Sequence, residues 1–337
     1  MKRLATLTAL LLCLVNSAQA ETLPGYDRFD LTAAHRARPV AGFIWYPAAG
    51  PTYRTRIGDG PLFDPTAAFM APAVLQGQHP LVLLSHGPGG NADALGWLAA
   101  GLVAKGAIVL AVNHPGSSSG DSSARRSLDL AARAADLTAA LDKILADPDF
   151  APHIDTTQSS AIVFSLGGTT VLGLAGVVFD GETQPARCAN GPDAADCGFF
   201  LRGGAQFAIA PGFSISTHDP RIRHAVAVDP GFGGSATAAS AAAVTVPIHL
   251  INLGEADRLP AVDVGPSGNG LVARLPGASY TVIAPANHFT FLATCKPGAE
   301  DMLQEEGEDP ICTDPAQTDR AEVHRRLIDD IATGLGL

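Results

Sequence analysis

One short segment constrains this chain more than any other: an apolar run that turns directly into a glycine-rich helix start. Residues 161–164 have the length and character of a buried strand, Ser165 follows, and Gly167 and Gly168 open an apolar stretch typical of a helix. Such a corner holds its central residue in a strained conformation, and small residues must follow because strand and helix pass close together there. The pattern predicts that Ser165 is a nucleophile.

The segment also departs from the usual pattern, because Val163 stands where glycine is common. A plain helix start with Ser165 as the N-cap is therefore an alternative. If Ser165 is the nucleophile, the Leu166 N–H at the start of the helix is a predicted donor to an oxyanion. Two further segments favour the nucleophile.

The first is the glycine-rich loop at 85–91, which follows an earlier apolar strand. A loop in this place supplies the second oxyanion donor in folds with a serine at a strand-to-helix corner. Pro88 has no N–H, so the predicted donor is Gly87 or Gly89. The alternative is a flexible connection, with His86 as a hydrogen-bonded structural histidine.

The second is the segment 286–292 after the last predicted strand, where His288 is the expected catalytic base. Two carboxylates compete to orient its Nδ1. Asp257 is favoured because it follows the strand that precedes the last one, and Asp229, which ends the strand before that, is the alternative acid. Glu255 is a weaker third candidate on a longer side chain.

Strand-length apolar runs alternate with helical patterns along the chain, which predicts an α/β fold with a mostly parallel, doubly wound sheet. We expect one domain over 21–337, with an insertion at about 180–221 that covers the sheet as a small cap. The predicted strands are 27–32, 40–46, 81–84, 107–112, 161–164, 224–228, 246–253 and 280–283, and the predicted helices are 93–104, 127–146, 167–178 and 320–333.

Within the predicted helix 127–146, one apolar stripe is expected to face the sheet. Arg133 and Asp136 lie off that stripe and are expected to face away from it.

The N-terminus predicts an exported protein. Lys2 and Arg3 precede a short apolar run, and an A-x-A site ends at Ala20, so a signal peptide over 1–20 is expected. The run is too short to anchor the chain in a membrane. The mature protein is then periplasmic or secreted after cleavage following Ala20.

Four cysteines remain after that cleavage, and they can pair in three ways. The local pairing, Cys188 with Cys197 and Cys295 with Cys312, is expected in an oxidising compartment. No spacing typical of zinc ligands accompanies them, and no cofactor or metal is expected. The 337 residues carry a formal charge of −11, which argues against nucleic acid or an anionic membrane as a partner.

The loop 85–91, the Ser165 corner, the segment Asn113-His114-Pro115-Gly116 and the segment 288–292 together resemble the bacterial predicted dienelactone hydrolases. These are α/β-hydrolases related to the plasma platelet-activating-factor acetylhydrolases. The resemblance runs from about Val40 to Leu292. It implies an α/β-hydrolase fold and a metal-free serine carboxylesterase for small or lipid-like esters. The cysteine pair in the insertion is similar to cap segments of these proteins.

The sequence thus predicts ester hydrolysis by Ser165, His288 and an aspartate. The rival interpretation is a degenerate α/β-hydrolase that binds a hydrophobic ligand without turnover, favoured by Val163 and Pro88. A thioester or peptide substrate is a third possibility, since the same triad serves all acyl transfers. The sequence does not indicate an oligomeric state.

Overall fold

A computed structural model describes residues 22–185, 188, 195–210 and 212–337. The signal peptide expected over 1–20 lies outside these residues. The strands are β1 (Gly25–Leu31), β2 (Val40–Tyr46), β3 (Arg54–Ile57), β4 (Thr66–Met70), β5 (His79–Ser85), β6 (Ile108–Asn113), β7 (Ser117–Ser118), β8 (Asp121–Ser122), β9 (Ile154–Phe164), β10 (Ile222–Val228), β11 (Ile248–Leu253) and β12 (Ser279–Ile283). The helices are α1 (Gly96–Ala104), α2 (Ala124–Ser127), α3 (Leu130–Leu145), α4 (Leu166–Leu174), α5 (Ala195–Arg202), α6 (Ala238–Ala243), α7 (Leu271–Arg274), α8 (Ala299–Glu306) and α9 (Arg320–Leu335).

Ten of the strands form one sheet in the order β12-β11-β10-β9-β5-β6-β2-β1-β4-β3. The six strands from β12 to β6 run parallel to their neighbours, while β2 is antiparallel to β6 and to β1. The predicted doubly wound, mostly parallel sheet is confirmed. Because the carboxyl ends of parallel strands meet at one edge, the residues that follow β5, β9, β10 and β12 gather there.

Alternating side chains of the parallel strands pack on opposite faces of the sheet, as the pleat requires. On β5, Leu81 and Leu83 join the core under α3 and α4, whereas Val82 and Leu84 join the core under α1 and α9. Helices on both faces therefore bury the sheet completely at its centre. This burial fixes the edge where the functional loops lie.

Two disulfides close short segments of the chain. Cys188 is bonded to Cys197, and Cys295 to Cys312, so the local pairing is confirmed. Both bonds are consistent with folding in an oxidising compartment. No helix in the described part of the chain is long and apolar enough to cross a membrane.

The described residues of the inserted segment around 180–221 pack beside α2, α3 and α4. Its aromatic side chains Phe200, Phe207 and Phe213 cluster with Phe232, which follows β10, at ring-centre distances of 5.2–5.9 Å. Gly203 approaches Ala124 of α2 so closely that an added Cβ would lie 2.3 Å from the alanine methyl. The insertion therefore belongs to the core under α3 and α4.

Candidate active site

Ser165 occupies the corner between β9 and α4 with φ of 59° and ψ of −128°. This backbone conformation is strained for any residue with a Cβ, and it holds the side chain out of the turn. The two glycines that follow are required by space. A Cβ on Gly167 would lie 2.9 Å from the Ser85 carbonyl oxygen, and one on Gly168 would lie 2.6 Å from Pro230 Cβ. The predicted corner is thus present.

Val163, two residues before the serine, fits this corner because its side chain points into the core. It is fully buried under α3 and α4, and it pairs with Ala227 of β10. Its Cβ lies 3.1 Å from the position of a Cβ on Gly167. Because Gly167 has no side chain, there is room for Val163 at the position where glycine is usual.

His288 begins a short 3-10 helix, His288–Phe291, that follows β12. The turn is fixed by Asn287, whose side chain accepts from the backbone N–H of Phe289 and Thr290. The imidazole is 7% exposed, and its ring stacks on Phe164 at 4.4 Å. Its Nε2 lies 3.2 Å from Ser165 Oγ, which is hydrogen-bond distance for a nucleophile and its base.

Asp229 is the carboxylate that contacts this histidine, so the choice of Asp257 as the orienting acid is wrong on geometry. His288 Nδ1 donates to Asp229 Oδ2 at 2.9 Å. Asp257 is exposed in the loop after β11. The reason is strand order: β10 lies beside β9, and Val228 pairs with Phe164, so the residue after β10 lies next to Ser165.

The position of Asp229 is strongly determined. It is fully buried, with φ of 45°, and its Oδ1 accepts from Asn252 Nδ2 at 2.8 Å and from the Leu253 N–H at 2.9 Å. Asn252 in turn donates to the Val262 carbonyl. One carboxylate oxygen is therefore held by the neighbouring strand β11, and the other is left for the imidazole. This fixes the tautomer with the proton on His288 Nδ1 and leaves Nε2 to accept from Ser165.

Two of the three predicted oxyanion donors remain candidates. Leu166 is the first residue of α4, so its N–H has no acceptor within the helix. Gly87 adjoins Ser165: a Cβ there would lie 3.2 Å from Ser165 Cβ. Its N–H has no acceptor among the described residues. Gly89 is excluded, because its N–H donates to the Ser117 carbonyl at 2.9 Å.

Ser165 and His288 open into a cavity of about 790 Å³. Four segments line it besides the serine corner: the loop at 58–63 after β3, the loop at 86–95, the segment 288–292, and the segment of 303–311 that contains the end of α8. Ser119 also contributes. None of the described residues of the 180–221 insertion lines this cavity. Two of the segments over Ser165, 58–63 and 303–311, are therefore ones for which the sequence suggested no function.

The loop at 58–63 is joined to the start of the disulfide-closed segment that contains the 303–311 wall. The backbone of Phe63 pairs with Cys295, Lys296 N donates to the Leu62 carbonyl at 2.8 Å, and Lys296 Nζ bonds to Asp59 at 2.6 Å. The Cys295–Cys312 disulfide closes the chain segment that contains the 303–311 wall. The mouth of the cavity is therefore a braced structure.

No family model matches the sequence, and no curated protein matches it. Among solved structures, a ferulic acid esterase from Streptomyces cinnamoneus superimposes with a TM-score of 0.64 at 16% identity, over 95% of this chain and 91% of that chain. A dienelactone hydrolase from Anabaena variabilis gives a TM-score of 0.46 at 14% identity, over 85% of this chain and 95% of that chain. The first likeness, together with the strand order and the serine corner, decides the fold.

This chain is an α/β-hydrolase-fold protein.

Sequence reasoning missed the polar core behind the oxyanion loop of this α/β-hydrolase fold. Arg133 and Asp136 of α3 were expected to face away from the sheet, yet they are 1% and 0% exposed. Asp136 Oδ2 accepts from His114 Nδ1 at 2.9 Å, and Arg36 also donates to this carboxylate. Helical periodicity assigns polar residues to solvent unless buried partners are known, and these partners lie on other elements. The resemblance at residues 113–116 was the available signal.

His86, by contrast, is the hydrogen-bonded structural histidine that the sequence offered as its alternative. Its Nδ1 lies 2.7 Å from the Gly87 carbonyl oxygen, and its Nε2 accepts from the His114 N–H at 3.2 Å. Burial, then the charges of His114 and Arg133, hold the pKa of His86 well below its usual value. The ring is therefore neutral at physiological pH, with its proton on Nδ1.

Proposed function

We propose that this α/β-hydrolase-fold protein is a serine carboxylic-ester hydrolase that acts through an acyl-enzyme. One observation carries the proposal: Ser165 Oγ, His288 and Asp229 form a continuous hydrogen-bonded chain that opens into a cavity. The strained corner at Ser165 and the adjacent donors of Leu166 and Gly87 support the same conclusion.

In the first half-reaction, Ser165 Oγ attacks the ester carbonyl while its proton passes to His288 Nε2. Asp229 stabilises the resulting imidazolium through the bond to Nδ1, without taking a proton itself. The Leu166 and Gly87 N–H groups donate to the tetrahedral oxyanion. The intermediate then collapses, and the leaving alcohol receives the proton from His288 Nε2. An acyl ester on Ser165 remains.

In the second half-reaction, water enters the cavity and His288 Nε2 removes one of its protons. The hydroxyl attacks the acyl carbon, and the same two N–H groups stabilise the second oxyanion. Collapse breaks the bond to Ser165 Oγ, which recovers its proton from His288. The products are the free acid and the regenerated enzyme.

The cavity favours small or lipid-like esters without a negative charge. Its volume of about 790 Å³ accommodates a ligand of drug-like size. Phe63, Phe164 and Leu303 contribute apolar surface. The described lining also contains five carboxylates and neither lysine nor arginine: Asp59, Asp93, Glu306, Glu308 and Asp309. A negatively charged acyl group or leaving group would be repelled from such a surface.

A panel of p-nitrophenyl esters with graded acyl lengths tests the reaction and measures the depth of the site. A fluorophosphonate should label the wild type once, on the peptide that contains Ser165, and Ser165→Ala should show neither labelling nor turnover. A matched pair of neutral and carboxylate-bearing esters should differ several-fold in kcat/KM, and the difference should shrink at high salt. Full turnover by Ser165→Ala would disprove the proposal.

The rival function, ligand binding without chemistry, makes a different prediction for the same experiments. It expects no turnover by the wild type, no fluorophosphonate adduct, and saturable binding of an apolar ester. The proposed compartment is the periplasm or the exterior of the cell, after cleavage following Ala20. The Cys188–Cys197 and Cys295–Cys312 disulfides support an oxidising environment.

A further inference from the structure

The guanidinium of Arg133 is almost completely buried, and it contacts the oxyanion loop from behind. Nη2 donates to the His86 carbonyl and, at 3.3 Å, to Ser85 Oγ. Nη1 donates to Ser117 Oγ at 2.8 Å, and Nε donates to Thr170 Oγ1 at 3.0 Å. Burial lowers the pKa of Arg133 to about 9, so the group stays charged at neutral pH. Burying such a charge is costly, and the catalytic steps above do not use it.

The bond to the His86 carbonyl bears directly on catalysis, because that carbonyl and the Gly87 N–H belong to the same peptide unit. In a trans peptide the C=O and the N–H point in opposite directions. A guanidinium that holds the oxygen on the buried side therefore directs the Gly87 N–H away from Arg133. A charge-assisted bond to the carbonyl also polarises the peptide and strengthens its N–H as a donor.

We propose that Arg133 is a positioning residue that aims the Gly87 N–H at the oxyanion and fixes it relative to the Leu166 N–H. The inference rests on the proposed esterase function. Gly87 lies against the nucleophile, since a Cβ there would be 3.6 Å from Ser165 Oγ. The Gly87 N–H, which points opposite to the His86 carbonyl, is thus directed to the side where an oxyanion on Ser165 needs a donor.

The other two guanidinium nitrogens of Arg133, Nε and Nη1, bind the side chains of Thr170 and Ser117. Thr170 lies one helical turn after Leu166 on α4, and its hydroxyl lies 3.4 Å from the Leu166 carbonyl oxygen. Ser117 accepts the Gly89 N–H through its own carbonyl. One rigid, planar guanidinium therefore links both elements that carry the oxyanion donors. Lysine has a single ammonium on a flexible stem and cannot reproduce this geometry.

His86 reinforces the same orientation from the other side. Its Nδ1–H donates to the Gly87 carbonyl at 2.7 Å, which fixes the next peptide unit. Its Nε2 is engaged by the His114 N–H, and Ser118 Oγ lies 3.3 Å away. Both peptide units that flank the Gly87 Cα are therefore held by buried side chains.

The test compares Arg133→Met and Arg133→Lys with the wild type on a p-nitrophenyl ester. We expect kcat to fall about 10²-fold or more in Arg133→Met and less in Arg133→Lys, as the loss of one oxyanion donor does in other enzymes, while KM changes less than about threefold. The Ki of an aryl trifluoromethyl ketone, which forms a tetrahedral adduct on Ser165, should rise in proportion to the loss of kcat/KM. The midpoint of the acidic limb of the kcat profile should not move, because His288 is unchanged.

Leu137→Ala is the matched control, since Leu137 lies one turn along α3 and is fully buried. It should lower the melting temperature by several degrees and leave kcat and the ketone Ki unchanged. The proposal is overturned if folded Arg133→Met keeps kcat and Ki within threefold of the wild type, or if kcat falls while Ki does not rise. If Arg133→Met does not fold, the same two criteria apply to Arg133→Lys. A failure of the esterase function is recognised separately, because the wild type itself would then lack turnover.

Discussion

Two sets of serine, histidine and aspartate with the same hydrogen-bond order lie in neighbouring parts of this molecule. In the first, Ser165 Oγ is 3.2 Å from the His288 ring, which is 2.9 Å from Asp229. In the second, Ser85 Oγ is 2.7 Å from His114 Nε2, and His114 Nδ1 is 2.9 Å from Asp136. By these distances alone, the serine oxygen lies closer to its histidine in the second set than in the first.

Their surroundings differ in every respect that matters for chemistry. Ser85, His114 and Asp136 are all 0% exposed, so no substrate reaches the hydroxyl. Burial, then the charge of Arg133, lowers the pKa of His114 to about 4, although the hydrogen bond that its Nδ1–H donates to Asp136 opposes this shift. The ring is therefore a weak base at neutral pH. Ser85 ends a regular strand, whereas Ser165 occupies a strained corner.

The contrast teaches that a hydrogen-bonded chain of these three residues does not define a catalytic triad. Access and backbone strain distinguish Ser165 from Ser85. The second set has a different role in the fold: it packs beneath the loop at 85–91, which carries the proposed oxyanion donor Gly87.

The largest expected effect separates the two serines. Ser165→Ala should lower ester turnover by about 10⁴–10⁶-fold, as loss of a nucleophile does. Ser85→Ala should lower it by less than about tenfold, since it removes one of the bonds around Arg133 and no reacting group. Steady-state kinetics on one p-nitrophenyl ester measures both. Equal losses in the two variants would break the comparison.

The next effect separates two carboxylates. Asp229→Asn should reduce kcat by about 10⁴-fold, because the amide no longer holds the imidazole in the required tautomer. Asp257→Asn, in an exposed loop, should change kcat less than about twofold. If the two variants lose activity equally, or if Asp257→Asn loses more, the geometric assignment of the acid does not describe the working enzyme.

Acid should weaken the buried set. A histidine whose pKa is about 4 in the folded state and about 6.5 when unfolded binds fewer protons when folded. Its contribution to stability is complete above pH 6.5 and is lost as the pH falls towards 4. For His114 alone this amounts to about 2–3 kcal/mol between pH 7.5 and 4.5.

Urea denaturation at these two pH values measures the free energy of unfolding. His114→Gln should be less stable than the wild type at pH 7.5 and should lose less stability on acidification. Burial also lowers the pKa of His324 to about 4, so His324→Gln should reduce the acid loss independently. If His114→Gln loses as much unfolding free energy between pH 7.5 and 4.5 as the wild type does, the pKa of His114 is not lowered in the folded protein.

The smallest expected effect concerns the two disulfides, of which Cys295–Cys312 closes a segment whose described residues line the cavity at Ser165. Replacing Cys295 and Cys312 by serine should raise KM several-fold, because the cavity wall at 303–311 loses its covalent closure. Replacing Cys188 and Cys197 should leave KM unchanged. Both double variants should lose about 2–3 kcal/mol of stability, which serves as the control for general destabilisation. A KM effect in the second pair alone would contradict this placement.

The sequence predicted the parts of the site that depend on neighbours along the chain. Ser165 with its glycines, Gly87 after a strand, His288 after the last strand and the two local disulfides all belong to this class. The parallel strands were also predicted, because each is a continuous apolar run. The edge strand β3, its neighbour β4 and the helix α8 were missed, since segments of four to eight residues are too short to show a clear hydrophobic period.

The acid could not be decided from sequence, because the choice depends on which strand lies beside β9. Asp229 and Asp257 each follow a strand, and only the sheet order places Asp229 next to His288. The prediction that Arg133 and Asp136 face away from the sheet was wrong for a related reason. A polar residue on a helix is buried only when groups on other elements form hydrogen bonds with it, and the sequence does not show which groups these are. The insertion at about 180–221 was expected to cover the sheet as a small cap, and none of its described residues lines the cavity.

The wall at 303–311 also has a consequence for how the proposed activity changes over generations. This wall lies outside the sheet, in a stretch that begins and ends at one covalent bond, and Ser165, His288 and Asp229 are all positioned by other elements. Under the proposed esterase function, insertions, deletions and charge reversals within it would alter which esters enter while leaving the reacting groups in place. Substrate preference should then change, by mutation or by exchange of this one disulfide-closed loop, without loss of Ser165, His288 or Asp229.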